Sequence, residues 1–197
     1  MKSKYAIVTA LSFLLIAGSL QQTTAQIKFG PMAGVNFSDM TGDTNSDGLL
    51  FGFHLGFLVN FGVTDYFMVE PQMLYSTKGA SFDKYDLNLS YIEIPIWLRY
   101  QLSSGLNFNV GPYAGILVSA KADDDDSKDY YKGLDYGLAA GLGYQFSSGL
   151  GLMASYSAGM ADIGDKKPVG LNPNQSFNTK VNIIKFSLSY TIGGRRG

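Results

Sequence analysis

Between Leu49 and Phe61 every second residue is large and apolar. Leu49, Phe51, Phe53, Leu55, Phe57, Val59 and Phe61 fall on one face; Leu50, Gly52, His54, Gly56, Leu58 and Asn60 fall on the other. Successive side chains of a strand point to opposite sides. This stretch therefore reads as a strand with one continuous oily face and one small or polar face. The same period recurs in seven more segments. Phe29, Ala33, Val35 and Phe37 alternate with Lys28, Gly30, Gly34 and Asn36, and Phe67, Val69, Met73 and Tyr75 with Glu70, Gln72, Ser76 and Lys78. The remaining oily faces run along Ile92–Tyr100, Leu106–Val118, Leu134–Phe146, Leu150–Ala158 and Ile184–Ile192. In the last segment Ile183 and Ile184 are adjacent apolar residues, which leaves the phase ambiguous at its start and admits a β-bulge there.

The connections alternate in length. Ser38–Gly48, Gly79–Asn88, Lys121–Lys132 and Ala161–Thr179 are long and polar; Gly62–Asp65, Ser103–Gly105 and Ser147–Gly149 are short. An even number of antiparallel strands joined by alternating short turns and long loops is the pattern of a transmembrane β-barrel. The expected fold is all-β: an eight-stranded antiparallel up-and-down transmembrane β-barrel, with both ends of the barrel on the short-turn side. A soluble eight-stranded barrel would turn the oily face inward. It would then have to pack Phe51, Phe53, Phe57 and Phe61 of a single strand into a lumen just wide enough for side chains. The outside would be Gly and Ser, with few charges. The inverse arrangement puts large apolar groups against lipid and small ones in the lumen. The charges within the segments, Lys28, Glu70, Lys78, Glu93, Arg99, Asp135 and Lys185, all lie in the non-oily phase. That suits a membrane wall, where a lipid-facing Lys or Arg near the midplane costs roughly 2–4 kcal/mol.

The first residues read as a targeting segment. Lys2 and Lys4 precede an uncharged, mostly apolar run from Ala6 to Leu20, and small residues follow at Thr23-Thr24-Ala25. This is the layout of a cleaved signal peptide, residues 1–25, with the barrel domain at 26–197. After Ala25 the chain holds 13 basic and 16 acidic residues. That balance argues against a nucleic-acid partner, which needs a basic face. With no Cys in the chain there is neither a disulfide framework nor a thiol nucleophile.

Several strings resemble the PorT-like outer-membrane β-barrel family: FGPMAGVNFS (29–38), EPQMLYSTKGA (70–80), YIEIPIWLRY (91–100), GPYAGILVSAK (111–121) and DYGLAAGLGYQF (135–146). The resemblance covers nearly all of the chain after the leader, in family order. It implies a small outer-membrane barrel in contact with outer-membrane lipid. It says less about activity. The founding member assists a protein secretion system, so a surface or secretion complex is the expected partner class.

Four features are candidates for chemistry. The first is the lumenal charge network of Glu70, Lys78, Glu93, Arg99, Asp135 and Lys185. Glu70 and Arg99 lie at similar depth on neighbouring strands, and Lys78 and Glu93 lie nearer the long-loop end of the same pair. Buried charges are paired because isolated ones are too costly, so a structural plug is favoured over an ion path. Second, Asp43-Thr44-Asn45-Ser46-Asp47-Gly48 matches the opening of a calcium loop, with Asp43, Asn45 and Asp47 as oxygen ligands. The closing Glu of that motif would fall at His54, so a polar loop rich in turn formers is favoured. Third, Asp123–Asp126 and Asp129 make an acidic patch among Lys121, Lys128 and Lys132, read as a solvated loop. Fourth, His54 is the sole histidine; catalysis would need a nucleophile and an orienting group beside it, and the sequence singles out neither. No cofactor is expected. The functional expectation is a non-catalytic barrel with a structural, loop-presenting or complex-accessory role, the alternative being a narrow solute channel.

Overall fold

The computed structural model describes residues 27–42, 48–82, 85–122, 125–126, 131–163 and 179–193. Eight long strands follow one another: β1 (Ile27–Gly42), β2 (Leu50–Gly62), β3 (Phe67–Phe82), β4 (Tyr85–Gln101), β5 (Leu106–Ala122), β6 (Leu134–Gln145), β7 (Leu150–Gly159) and β8 (Thr179–Tyr190). Each pairs antiparallel with the next, and β1 also pairs with β8 from Met32↔Ser189 to Gly42↔Thr179, which closes the barrel. Closure leaves no free sheet edge. Two residues after β8, Ile192–Gly193, return to β1, and Asp125–Asp126 pairs back onto the end of β5.

The short turns are set by local chemistry. In Leu102-Ser103-Ser104-Gly105 the Gly105 N–H donates to the Leu102 carbonyl at 2.9 Å, with Gly105 at φ +98°. Phe146-Ser147-Ser148-Gly149 repeats this, with 3.1 Å and φ +94°. A turn followed by a left-handed residue is the three-residue hairpin loop, and glycine takes that conformation without a Cβ clash.

Alternation decides which way each side chain faces, and the oily face is outward. Leu55 is 51% exposed and Phe57 68%, while their neighbours His54 and Leu58 are 1% and 2% exposed. Among the described residues no helix is long and apolar enough to cross a membrane; the apolar belt is made by strands.

Three expectations need correction. The strands run further than the oily pattern suggests. β1 is paired through Gly42, and β3–β4 pairing continues from Gly79↔Asn88 to Phe82↔Tyr85, so the expected loop at Gly79–Asn88 is largely a paired hairpin. The reason is that the pattern inverts near the long-loop end. There Met40, Ala80, Leu87, Leu89, Leu117, Ala120, Val181 and Ile183 point inward and form an apolar cluster, while Asn88 and Lys121 face out. Ser38, placed in a loop by its polarity, is buried in β1, donates to the Gly79 carbonyl at 3.0 Å and accepts from the Gly79 N–H at 2.8 Å.

The second correction concerns Ile183–Ile184, where the register of β8 runs unbroken against both β1 and β7. Ile183 simply faces in and Ile184 out. A register shift occurs instead between β4 and β5, where Ser90 pairs with Ser119 and Tyr91 with Leu117, leaving Val118 of β5 as the extra residue. The third concerns the outer connections, parts of which are folded over the mouth. Ala161 and Ile163 are buried in the apolar cluster with Tyr131 against it. Lys132 donates from its backbone N–H to the Ile163 carbonyl at 2.8 Å, and its Nζ meets Asp162 at 2.7 Å.

Candidate functional site in the barrel lumen

Inward-facing residues stack in four layers along the barrel axis. Nearest the short turns is a polar layer. Arg99 on β4 donates to Glu70 Oε1 on β3 at 2.9 Å and, through Nε, to Asn109 Oδ1 on β5 at 2.9 Å. Asn60 donates to Glu70 Oε2 at 3.0 Å and Gln72 to Glu70 Oε1 at 2.9 Å. Asn109 continues to Asn107 at 2.8 Å, and Asn107 to the Gly105 carbonyl at 3.2 Å. One charge of each sign is thus enclosed in amide hydrogen bonds, which a buried ion pair needs to offset its desolvation.

Above it lies an apolar layer of Met32, Leu58, Leu74, Trp97, Tyr113, Ala139 and Met153. Next comes a second charged layer, assembled from four strands. Lys78 on β3 bridges Glu93 on β4, at 2.7 Å, and Asp135 on β6; Lys185 on β8 takes the other oxygen of Glu93. Two positive and two negative groups balance. Lys78 also sits 4.1 Å from the ring centroid of Tyr91 and 5.4 Å from that of Tyr113, so aromatic faces stabilise the ammonium further. The inverted apolar cluster described above closes the stack at the long-loop end.

His54 joins the second charged layer. Asn36 Nδ2 faces the carbonyls of Phe53 and Thr77 and the Ser76 hydroxyl, which fixes its amide and leaves Oδ1 as an acceptor. His54 Nδ1, 2.7 Å from that oxygen, must therefore carry the proton, and Nε2 accepts from Ser187 Oγ at 2.9 Å. A Cβ at Gly34 would lie 2.5 Å from His54 Cε1, so the ring needs a glycine beneath it.

The sequence brought together Glu70 with Arg99 and Lys78 with Glu93, and the structure places both pairs in contact. It counted Asp135 and Lys185 in the same lumenal charge network but gave them no depth or partner; barrel stagger brings them from distant strands to the level of Lys78 and Glu93. Lys28 belongs to neither layer. It is half-buried at the short-turn mouth, where it lines a polar recess of about 920 Å³ with Asp65, Gln101 and Gln145. Asp43, Asn45 and Asp47 lie outside the described residues, as do Asp123, Asp124 and Asp129. Among the described residues no cluster of three or more His, Asp or Glu is arranged to hold a metal.

The sequence offered no partners for His54, and the structure supplies two in Asn36 and Ser187. The order Ser187–His54–Asn36 has the connectivity of a nucleophile, base and orienter. What it lacks is an enclosed space that all three residues share. The enclosed void touching Ser187 has room for about 10 Å³, bounded by Gln72, Leu74, Pro95, Trp97, Tyr113 and Met153. That holds one water at most; the other hollow bordered by Ser187, about 540 Å³, is open, lined mainly by outward-facing apolar residues such as Leu142, Leu152 and Leu188, and bordered by neither His54 nor Asn36.

Comparison with known proteins gives the architecture a family. Residues 20–165 match the family described as outer membrane protein beta-barrel domain. Neisserial surface protein A (NspA) superposes with a TM-score of 0.59 at 15% identity, covering 83% of this chain and 97% of that one. Ail, the attachment invasion locus protein of Yersinia pestis, gives a TM-score of 0.47 at 15% identity over 84% of this chain and 98% of its own. OprG of Pseudomonas aeruginosa gives 0.45 at 14% identity over 85% and 96%. The fold likeness rests on the first of these. No curated protein matches the sequence.

Proposed function

Because the chain belongs to the family of outer-membrane protein β-barrel domains, we propose that it serves as a plugged, non-catalytic barrel that presents its long-loop end at the cell surface, as a structural element or as an accessory to a surface or secretion complex. The observation that carries this reading is the filled lumen. Two charge-balanced layers alternate with two apolar ones, and Glu70, Glu93, Asp135 and Lys78 are each 0–1% exposed. An ion moving along the axis would have to break these pairs. Removing one partner of a buried pair costs about 3–5 kcal/mol, which weighs against conduction. The resemblance to PorT-like barrels supports an accessory role, and the lack of an enclosed chamber shared by Ser187, His54 and Asn36 supports a non-catalytic one.

The reading includes export by a cleaved leader, Met1–Ala25, and an orientation with short turns in the periplasm. Intact mass of the membrane-extracted protein tests the leader: a chain beginning at Gln26 is expected, and one that retains Met1–Ala25 contradicts it. An epitope inserted between Asp126 and Ser127 tests presentation. It should label on whole cells; labelling only after lysis would reverse the orientation.

A further inference from the structure

Four prolines sit within strands: Pro31, Pro71, Pro95 and Pro112. Proline has no N–H, so inside a sheet it removes a ladder bond. Each coincides with a two-pair gap in the register. The β1–β8 ladder ends at Met32↔Ser189 and pairing resumes at Phe29↔Ile192, passing Pro31. The β2–β3 ladder jumps from Leu58↔Gln72 to Phe61↔Val69 across Pro71, and β3–β4 from Pro71↔Ile96 to Leu74↔Glu93 across Pro95. The β4–β5 ladder jumps from Pro95↔Tyr113 to Leu98↔Val110 across Pro112. Pro71, Pro95 and Pro112 each keep their pair with the following strand, so the missing donor always points to the preceding one.

The last three gaps adjoin one another. Pro71 borders Gln72, which lies opposite Pro95; Pro95 borders Ile96, which lies opposite Pro112. Together they form a staircase of interrupted pairing across β2–β5, at the level where Met73, Ile94, Ile96 and Val110 face outward. Behind it lies the small void beside Gln72, Trp97 and Tyr113. Trp97 is buried, and its indole N–H has no hydrogen-bond partner among the described residues. On the other side of the barrel, β5–β6, β6–β7 and β7–β8 pair without a gap.

We propose that this staircase is a lateral seam. The β2–β5 wall parts there, opening the chamber beside Trp97 sideways toward the bilayer while the charged layers above and below keep the axial route closed. Separating strands at a proline breaks no ladder bond at that position. Val59, Gln72 and Ile96, the residues opposite, face prolines that have no N–H to donate, and a backbone carbonyl without a donor is costly in hydrocarbon surroundings, so water admitted by opening offsets part of its cost. Local opening is drawn from such weakly bonded regions. This goes beyond the proposed function, which concerns only closure along the axis.

Hydrogen exchange in lipid nanodiscs tests the seam, read by NMR on the full barrel. Trp97 is the only tryptophan, so its indole N–H is a single resonance that reports on the chamber. In the wild type it should exchange about tenfold or more faster than the backbone amides of Leu142, Ala154 and Leu188 in the unbroken wall. The chain has no cysteine, so a Met73→Cys/Ile94→Cys pair, placed across the β3–β4 gap on the outer face, can lock the seam. Oxidation should slow indole exchange to the rate of the unbroken wall, and reduction of the same sample should restore it. A wild-type indole as protected as those amides overturns the proposal, as does exchange that ignores the disulfide. Pro112→Ala, which returns a donor one strand away, should slow the indole too; a purely static gap would leave it unchanged.

Discussion

Two neighbouring stretches of the barrel wall contrast in what they send inward. The wall of β3–β5 supplies bulk: Glu70, Gln72, Leu74 and Lys78, then Tyr91, Glu93, Trp97 and Arg99, then Asn107, Asn109 and Tyr113. The wall of β6–β7 supplies little, with Gly137, Ala139, Gly141 and Gly143 on one strand and Gly151, Ser155, Ser157 and Gly159 on the other; Asp135 and Met153 are the exceptions. An eight-stranded barrel has an interior just wide enough for side chains, so both walls cannot be large. A Cβ at Gly137 would lie 2.8 Å from Tyr113 Cε1, and one at Gly143 2.5 Å from Asn107 Oδ1. One side fills the lumen and the other yields to it. The filling side also borders three of the four interrupted ladders, while β5–β6, β6–β7 and β7–β8 pair without a gap.

This contrast is best broken at the charges. Glu93→Gln removes the anion shared by Lys78 and Lys185 and leaves the second charged layer with excess positive charge; it should cost roughly 3–5 kcal/mol in reversible unfolding from lipid vesicles. A loss below about 1 kcal/mol, the range of exposed pairs, would mean that the layer is hydrated and not a plug. The outer face is next. Leu55→Arg, in the middle of the oily face of β2, should cost about 2–4 kcal/mol, and Phe61→Arg beside the short turn only about 0–1 kcal/mol. Equal losses would remove the bilayer from the explanation.

Smaller effects sharpen the division of labour between walls. Gly137→Ala drives a methyl group against Tyr113 and the Ala158 carbonyl, and overpacking of this kind should cost about 1–3 kcal/mol. If urea titration instead finds it neutral, the yielding wall has slack. Ser155→Ala should have the least effect. Its hydroxyl is buried without a hydrogen-bond partner among the described residues, and replacing an unsatisfied polar group by an apolar one is neutral or slightly stabilising. A clear loss of stability would reveal a partner for the hydroxyl.

The strands, their facing and the short turns were legible in the sequence because membrane and lumen impose opposite preferences on alternate residues. Leu49–Phe61 carries that signal without a break. Legibility failed where the outside stops being lipid. Beyond the apolar band the outward positions turn polar, as at Asn88 and Lys121, so a reading keyed to outward oil ends the strand too early. There Met40, Leu87, Leu89 and Ile183 still keep period two, on the inner face, and that was the overlooked signal. In the site, Glu70–Arg99 and Lys78–Glu93 could be paired because neighbouring strands share a turn from which depth can be counted. Asp135, Lys185 and the contacts of His54 could not. They join strands whose relative height depends on barrel stagger, which no single hairpin reveals.

The central claim is that the lumen is shut along its axis, and single-barrel recording in planar lipid bilayers tests it most directly. Purified, refolded wild-type protein should show no steady ohmic current under applied voltage, at most brief and rare openings. Glu93→Gln, where it still inserts, should raise the frequency of such openings, because it unpairs Lys78 and Lys185. A sustained, voltage-independent conductance from the wild type would contradict the account and make the barrel a narrow solute channel.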